Sequence, residues 1–182
     1  MKIAVVLGSV RTGRMGERVA RWAMAETSKI DGAEVSLVDV KEFGLPMFDD
    51  MSPGHRTEPY SDPAARAWSE VMAAADAYVV VTAEYDHGVP GALANALDYL
   101  WNELTDKPAA IVSYSTGPIG GARSGYQLAG RLIYMQLLIA GTVEIPRVDT
   151  SVDETGELLI EGPDKALAKV LTRLEKLAKL AD

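Results

Sequence analysis

A chain of 182 residues, 48% hydrophobic and 24% charged, suits one globular domain spanning 1–182 that buries roughly 70% of the surface its unfolded form exposes. It has no cysteine, which excludes disulfides, thiolate metal sites and a cysteine nucleophile, and its two histidines, His55 and His87, are too few for most zinc sites. A net charge of −8 argues against nucleic acid or an anionic membrane as the main partner. No apolar run approaches the ~20 residues of a membrane span, and a strand beginning almost at Met1 leaves no room for a signal peptide, so the expectation is a cytoplasmic protein without membrane insertion.

The first element is the apolar run Ile3–Leu7, a strand that breaks into Gly8-Ser9-Val10-Arg11-Thr12-Gly13-Arg14. A helical pattern follows, with Val19, Trp22 and Ala23 on one face. Such a strand–turn–helix junction leaves unpaired N–H groups at the helix start, where the helix dipole also favours an anion. Arg11 and Arg14 add donors suited to phosphate. No Lys-Ser/Thr follows Gly13, so the turn is not a Walker A motif, and it lacks the G-x-G-x-x-G spacing of a dinucleotide-binding turn. A phosphate-bearing small ligand remains, against the plainer reading of a βα turn with surface arginines.

Val35–Val38 is the second strand, and Lys41–Ser61, rich in Pro, Gly and Asp, is long enough to read as a functional loop. Asp62-Pro63 marks a helix start, followed by the stripe Trp68, Val71, Met72 and Ala75; Trp22 and Trp68 both read as core. Ala77–Thr82 forms the third strand. A helix from Ala92 to Leu104 carries Leu93, Leu97, Leu100, Trp101 and Leu104. Ala109–Tyr114 is the fourth strand, Leu128 to Leu138 suggests another helix, and Thr142–Ile145 is the fifth strand. Val148–Glu161 has room for a hairpin around Glu154-Thr155-Gly156. After Gly162-Pro163-Asp164 the last helix turns Leu167, Val170, Leu171, Leu174 and Leu177 inward, and its lysines lie mostly outside that stripe.

Five mostly apolar strands alternating with five helices predict an α/β domain: a doubly wound five-stranded parallel sheet with helices on both faces. Ligands of such sheets bind beyond the carboxyl ends of the strands, near the switch in strand order. Three unusual segments fall on that edge: Ser9–Arg14, Ala83–Gly91 and Ser115–Gly121. Glycine admits close backbone approach to a flat ligand, and tyrosine or histidine can stack on it.

Gly8-Ser9-Val10-Arg11 resembles the G-S-x-R of the NADPH-dependent FMN reductase family, and Glu84-Tyr85-Asp86-His87-Gly88-Val89-Pro90-Gly91 resembles its P-E-Y-N-x-x-x-P-G. Asn95-Ala96-Leu97-Asp98 is similar to the N-A-[IL]-D that continues it. The resemblance covers roughly Ile3 to Arg147. It implies a flavodoxin-like fold, bound FMN, and NADPH or NADH as the co-substrate. Electrons would pass to a small-molecule acceptor: a quinone, azo dye, flavin or oxidised metal ion.

By that resemblance Ser9, Arg11 and the stretch Arg14, Met15, Gly16, Glu17 and Arg18 hold the FMN phosphate. Glu84, Tyr85, Asp86, His87 and Gly88 border the isoalloxazine ring, with Ser115, Gly117, Gly120 and Gly121 at its other edge. The chain departs from the family at Arg14, commonly Ser, and at Asp86, commonly Asn. Neither an acid–base residue nor a resident metal is assigned. The resemblance also implies a homodimer or dimer of dimers, expected through the Ala92–Leu104 helix with Tyr99 or Trp101 exposed in the monomer. Two other classes compete: an electron-transfer or regulatory flavin module without its own turnover, and an α/β hydrolase recruiting Ser115 and His87.

Overall fold

The five apolar runs form one parallel sheet from β1 (Lys2–Leu7), β2 (Glu34–Asp39), β3 (Ala77–Ala83), β4 (Pro108–Tyr114) and β5 (Leu138–Ile145). The helices are α1 (Gly16–Thr27), α2 (Val40–Phe43), α3 (Pro63–Ala73), α4 (Gly91–Asp98), α5 (Ala122–Tyr134), α6 (Val148–Ser151) and α7 (Pro163–Ala181). A computed structural model describes residues 1–51 and 53–181. The strand order β2-β1-β3-β4-β5 puts the switch point between β1 and β3. Among the described residues no helix is long and apolar enough to cross a membrane.

Every residue of β3 and β4 is buried, because helices cover both faces of the sheet. Ile3, Val5, Val79, Val81 and Val112 pack on one face against Val19, Trp22 and Ala23 of α1 and Leu167, Leu171 and Leu174 of α7. Ala4, Val6, Tyr78, Val80 and Ile111 face the other way, against Trp68 and Met72 of α3, Leu93 and Leu97 of α4, and Leu128 and Leu132 of α5. Asp62 caps α3 by accepting from Ala65 N at 2.8 Å, with Pro63 in the first turn. Trp68 is fully buried, and its indole N–H donates to Ala96 O at 2.8 Å.

Three boundaries differ from the sequence expectation. The Ala92–Leu104 helix stops at Asp98: Tyr99 N and Leu100 N tighten onto Ala96 O (3.4 Å) and Leu97 O (3.0 Å), and Trp101 N then donates to the Glu103 carboxylate at 3.0 Å. The apolar run Leu128–Leu138 is also divided. Gln136 takes a left-handed φ of 68°, and Leu137 N closes α5 on Leu132 O at 3.0 Å. Leu138 therefore starts β5, four residues earlier than expected. Gly141, which reads as a strand boundary, lies inside β5 at a register shift opposite Ala109 and Ala110. The hairpin expected in Val148–Glu161 reduces to α6 and an isolated Val152–Leu158 bridge.

The expected exposure of Tyr99 is also corrected. Tyr99 is buried, its hydroxyl donates to Pro46 O at 3.0 Å, and Leu93, Leu97, Leu100 and Leu104 all belong to the core. Asn95 holds the same loop, donating to Pro46 O and accepting from Phe48 N, both at 2.8 Å.

Two glycines separate close packing from open space. A Cβ at Gly121 (φ 77°) would stand 2.7 Å from Tyr114 O and 2.9 Å from Tyr114 N, whereas one at Gly130 would meet nothing within 4 Å. Gly121→Ala is expected to cost about 2–4 kcal/mol of unfolding free energy. Gly130→Ala, on an open helix face, is expected to add about 0.5–1 kcal/mol. Urea unfolding of the two variants checks both signs, and equal effects would contradict the packing described.

Candidate functional site

The turn after β1 is organised by one guanidinium. Arg14 Nη1 donates to Ser9 O and, at 2.8 Å, to Asp39; Nη2 donates to the second Asp39 oxygen, and Nε reaches Glu17 at 3.1 Å. The Arg14 and Asp39 side chains are only 4% and 9% exposed. Burial by itself lowers the Arg14 pKa, but hydrogen bonds from Asp39 and Glu17 more than reverse it, and the pKa is raised. Asp39 also accepts from Lys41 N at 3.0 Å, so the pair ties the β1 turn to the end of β2 and the start of α2.

This arrangement redistributes the expected phosphate ligands. Arg14 forms part of the cleft wall, but its donors are committed to Asp39, Glu17 and Ser9 O. Ser9 is fully buried, with Oγ 2.5 Å from the Tyr85 hydroxyl, and so joins two loops beneath the surface. Arg18 donates to Val152 O at 3.0 Å, and Glu17 is exposed and held by Arg14. Gly16 is buried where a Cβ would collide with the Tyr114 hydroxyl and Leu7. What faces the cleft is Arg11, Thr12, Gly13 and Met15, and no side chain caps α1. Arg11 makes no ion pair among the described residues, and its guanidinium lies 3.4 Å over the Tyr85 ring.

The loop after β3 is a two-residue turn closed from both sides, Tyr85 N to Gly88 O at 3.1 Å and Gly88 N to Tyr85 O at 2.9 Å. Asp86 (φ 50°) and His87 (φ 62°) are both left-handed, the requirement of a type I′ turn. Asp and Asn both tolerate that backbone, which is the physical reason Asp86 can stand where the family commonly has Asn. Both residues are exposed, and Gln127 of α5 donates to His87 O at 3.0 Å. Glu84 lines the two hollows of this edge with its carboxylate turned to the start of α5. Its carboxylate, 8% exposed, accepts from Arg123 N at 3.0 Å, Ser124 N at 3.4 Å and the Arg123 guanidinium at 3.2 Å, closing the start of α5.

Two hollows meet on this edge. One, of about 320 Å³, lies between Arg11, Thr12, Met15, Tyr85 and Tyr114; the other, about 420 Å³, lies between Asp86, His87, Gly117, Ile119 and Arg123. They share Glu84, Ser115 and Thr116. A larger hollow of about 580 Å³ lies elsewhere, at the amino edge of the sheet around Met1, Asp76 and Lys107. Gly120 and Gly121 do not reach the ligand edge as expected. Both are buried, and their missing side chains let the loop press on β5 and β4. Ser115 Oγ donates to Gly117 O at 3.5 Å and makes no bond to His87, so these two residues form no nucleophile–base pair.

Sequence reasoning missed Thr12, Thr116 and Tyr114 as wall residues. Tyr114 gave no signal because it closes an apolar strand; its hydroxyl is buried without a partner, and burial raises its pKa. An uncapped helix start and an arginine with no ion pair among the described residues, on one cleft, suit a polar, phosphate-bearing ligand.

The Arg14–Asp39 geometry yields a stability prediction. Asp39→Leu strands a buried guanidinium and Arg14→Met strands its carboxylate partner, each expected to cost about 3–5 kcal/mol, whereas the Arg14→Met/Asp39→Leu double variant is expected to lose much less than their sum. Urea unfolding of the double-mutant cycle measures the coupling, and additive losses would contradict a committed pair.

Comparison with known proteins places this geometry among relatives. Residues 1–148 match the family described as NADPH-dependent FMN reductase. An NAD(P)H-dependent FMN reductase of Saccharomyces cerevisiae is 34% identical over 155 residues, covering 80% of this chain and 80% of its own. A quinone reductase of Escherichia coli K12 is 32% identical over 181 residues, covering 94% and 92%. Among solved structures, a flavoenzyme NAD(P)H:(acceptor) oxidoreductase from Paracoccus denitrificans superposes with a TM-score of 0.71 at 19% identity, over 99% of this chain and 96% of its own. A flavodoxin variant from Pseudomonas aeruginosa gives 0.59 at 19% identity, over 96% and 99%. The fold is therefore flavodoxin-like.

Proposed function

Because this chain belongs to the NADPH-dependent FMN reductase family, we propose that the hollow between Arg11, Tyr85 and Tyr114 at the β1/β3 switch point holds FMN, and that the adjoining hollow beside Ile119 admits a small-molecule electron acceptor. The chain is an oxidoreductase with FMN as cofactor and NAD(P)H as reductant. One observation carries the site assignment: the loops after β1, β3 and β4 converge on a cleft containing an arginine without an acidic partner. Arg11, Thr12 and the uncapped start of α1 would hold the phosphate; Arg14 would hold the turn in shape from behind. Tyr85 to Gly88 and Ser115 to Gly117 would border the ring. When bound, FMN supplies two-electron chemistry between NAD(P)H and the acceptor. The residues orient it, and the pinned Tyr85–Gly88 turn keeps one wall rigid.

Quinones are the proposed acceptors, in keeping with the quinone reductase among the relatives. A cytoplasmic setting, where NAD(P)H is available, fits this reading. In an anaerobic titration NADPH should bleach the FMN-loaded protein. Arg11→Ala should weaken FMN binding by about 1.5–3 kcal/mol, roughly 10- to 150-fold, and leave riboflavin binding unchanged. Equal losses for the two flavins would contradict the phosphate assignment, and an unbleached protein would contradict the function.

The proposed assembly is a homodimer, or a dimer of dimers, through the outer face of α5. Tyr126, Ile133 and Tyr134 there are 68%, 58% and 71% exposed, unlike the buried leucines of α4. Gln127 of the same helix bonds His87 O, so an interface on α5 would adjoin the site. Light scattering should show a dimer for the wild type and a monomer for Ile133→Glu. A monomeric wild type, or a dimeric variant, would remove α5 from the interface.

A further inference from the structure

We propose that His87 donates the proton that completes two-electron reduction of a quinone-type acceptor bound in the hollow beside Ile119. The proposal rests on the flavin reductase reading and adds a residue role to it. A quinone becomes a hydroquinone by taking up one hydride and one proton. The reduced cofactor supplies the hydride, and transfer leaves a hydroquinone monoanion. An imidazolium N–H bond then breaks as the O–H bond forms, and the neutral imidazole recovers its proton from water. The net change is quinone plus hydride plus proton to hydroquinone, with NAD(P)H as the source of the electrons.

Four observations select His87. It lines the 420 Å³ hollow with Ser115, Thr116, Pro118 and Ile119, and that hollow opens into the cleft assigned to the cofactor. It holds a left-handed φ of 62°, a conformation that glycine adopts at less cost, so the position favours a side chain for some reason other than backbone ease. The turn is fixed from both ends by the Tyr85–Gly88 pair and from the side by Gln127, which limits where the imidazole can swing. Imidazole is also the side chain that most often serves as a general acid.

The groups facing it leave this role open. Glu84 is spent on Arg123 and the start of α5, Arg123 donates to Glu84, and Asp86 is an exposed carboxyl on the same turn. Ser115 is engaged with Gly117 O. His55, the other histidine, lies in the Pro53–His55 turn, outside both hollows.

Stopped-flow kinetics on His87→Asn and His87→Gly, both compatible with the left-handed turn, separate proton transfer from scaffold. The rate of bleaching by NADPH, measured for each variant, serves as its own reference. Reoxidation by 1,4-benzoquinone at neutral pH should slow by about tenfold or more in both variants. Reoxidation by ferricyanide, which takes electrons without a proton, should change far less than reoxidation by benzoquinone. A second readout needs no turnover: with two histidines in the chain, hydroquinone added to the oxidised, FMN-loaded protein should shift the His87 imidazole NMR resonance and leave that of His55 in place. Parallel changes for benzoquinone and ferricyanide, an unchanged benzoquinone rate, or an unmoved His87 resonance would each overturn the proposal. A wild-type protein that NADPH does not bleach would instead overturn the flavin reductase reading beneath it.

Discussion

The site depends on the bidentate pair between Arg14 and Asp39. A strand that leaves a parallel sheet through a glycine-containing turn has many backbone conformations open to it, and an anion-binding turn is useful only if one is fixed before the ligand arrives. Arg14 fixes it by bonding both ends of the turn, at Ser9 O and Glu17, and by anchoring them to a carboxylate at the end of the neighbouring strand. The same carboxylate caps α2. A charge buried this deeply is retained only when paired, which makes the turn and the β2 terminus a single unit.

Around that unit the edge of the sheet is packed rather than merely decorated. Gly16 and Gly121 bring α1 and the β4–α5 loop against Tyr114 more closely than any side chain would allow, and Ser9 joins the first loop to Tyr85 from below. Glu84 fastens the second loop to the start of α5, and Gln127 returns from α5 to the turn at His87. Three loops from three strands are thereby locked together. The polar side chains left on the cleft are Arg11 and Thr12, while the Tyr114 hydroxyl is buried beneath it against Gly16.

The sheet was legible in the sequence because doubly covered strands read as unbroken apolar runs, and Asp62-Pro63 announced α3 through ordinary capping chemistry. Element ends were less legible where they hang on long-range or unusual local chemistry. The chain past Asp98 tightens into shorter turns before Glu103 takes the Trp101 donor, and Gln136 does the work expected of a glycine at the end of α5. At the sheet edge the motifs fall on loops that line the two hollows, but residue type did not reveal direction. A serine and an arginine in an anion turn suggest two phosphate ligands, yet both are turned inward, one to Tyr85 and the other to Asp39. No local pattern marks Asp39 as that partner, 25 residues away in the chain.

The proposed reading divides labour between two arginines in one turn: Arg14, paired with Asp39, would shape it, and Arg11 would meet the ligand. A crystal structure of the FMN complex tests this most directly. The account predicts the phosphate at the start of α1 beside Thr12, with Arg11 drawn onto it and Arg14 still bidentate to Asp39. An Arg14 guanidinium moved onto the phosphate, with Asp39 left facing solvent, would contradict it.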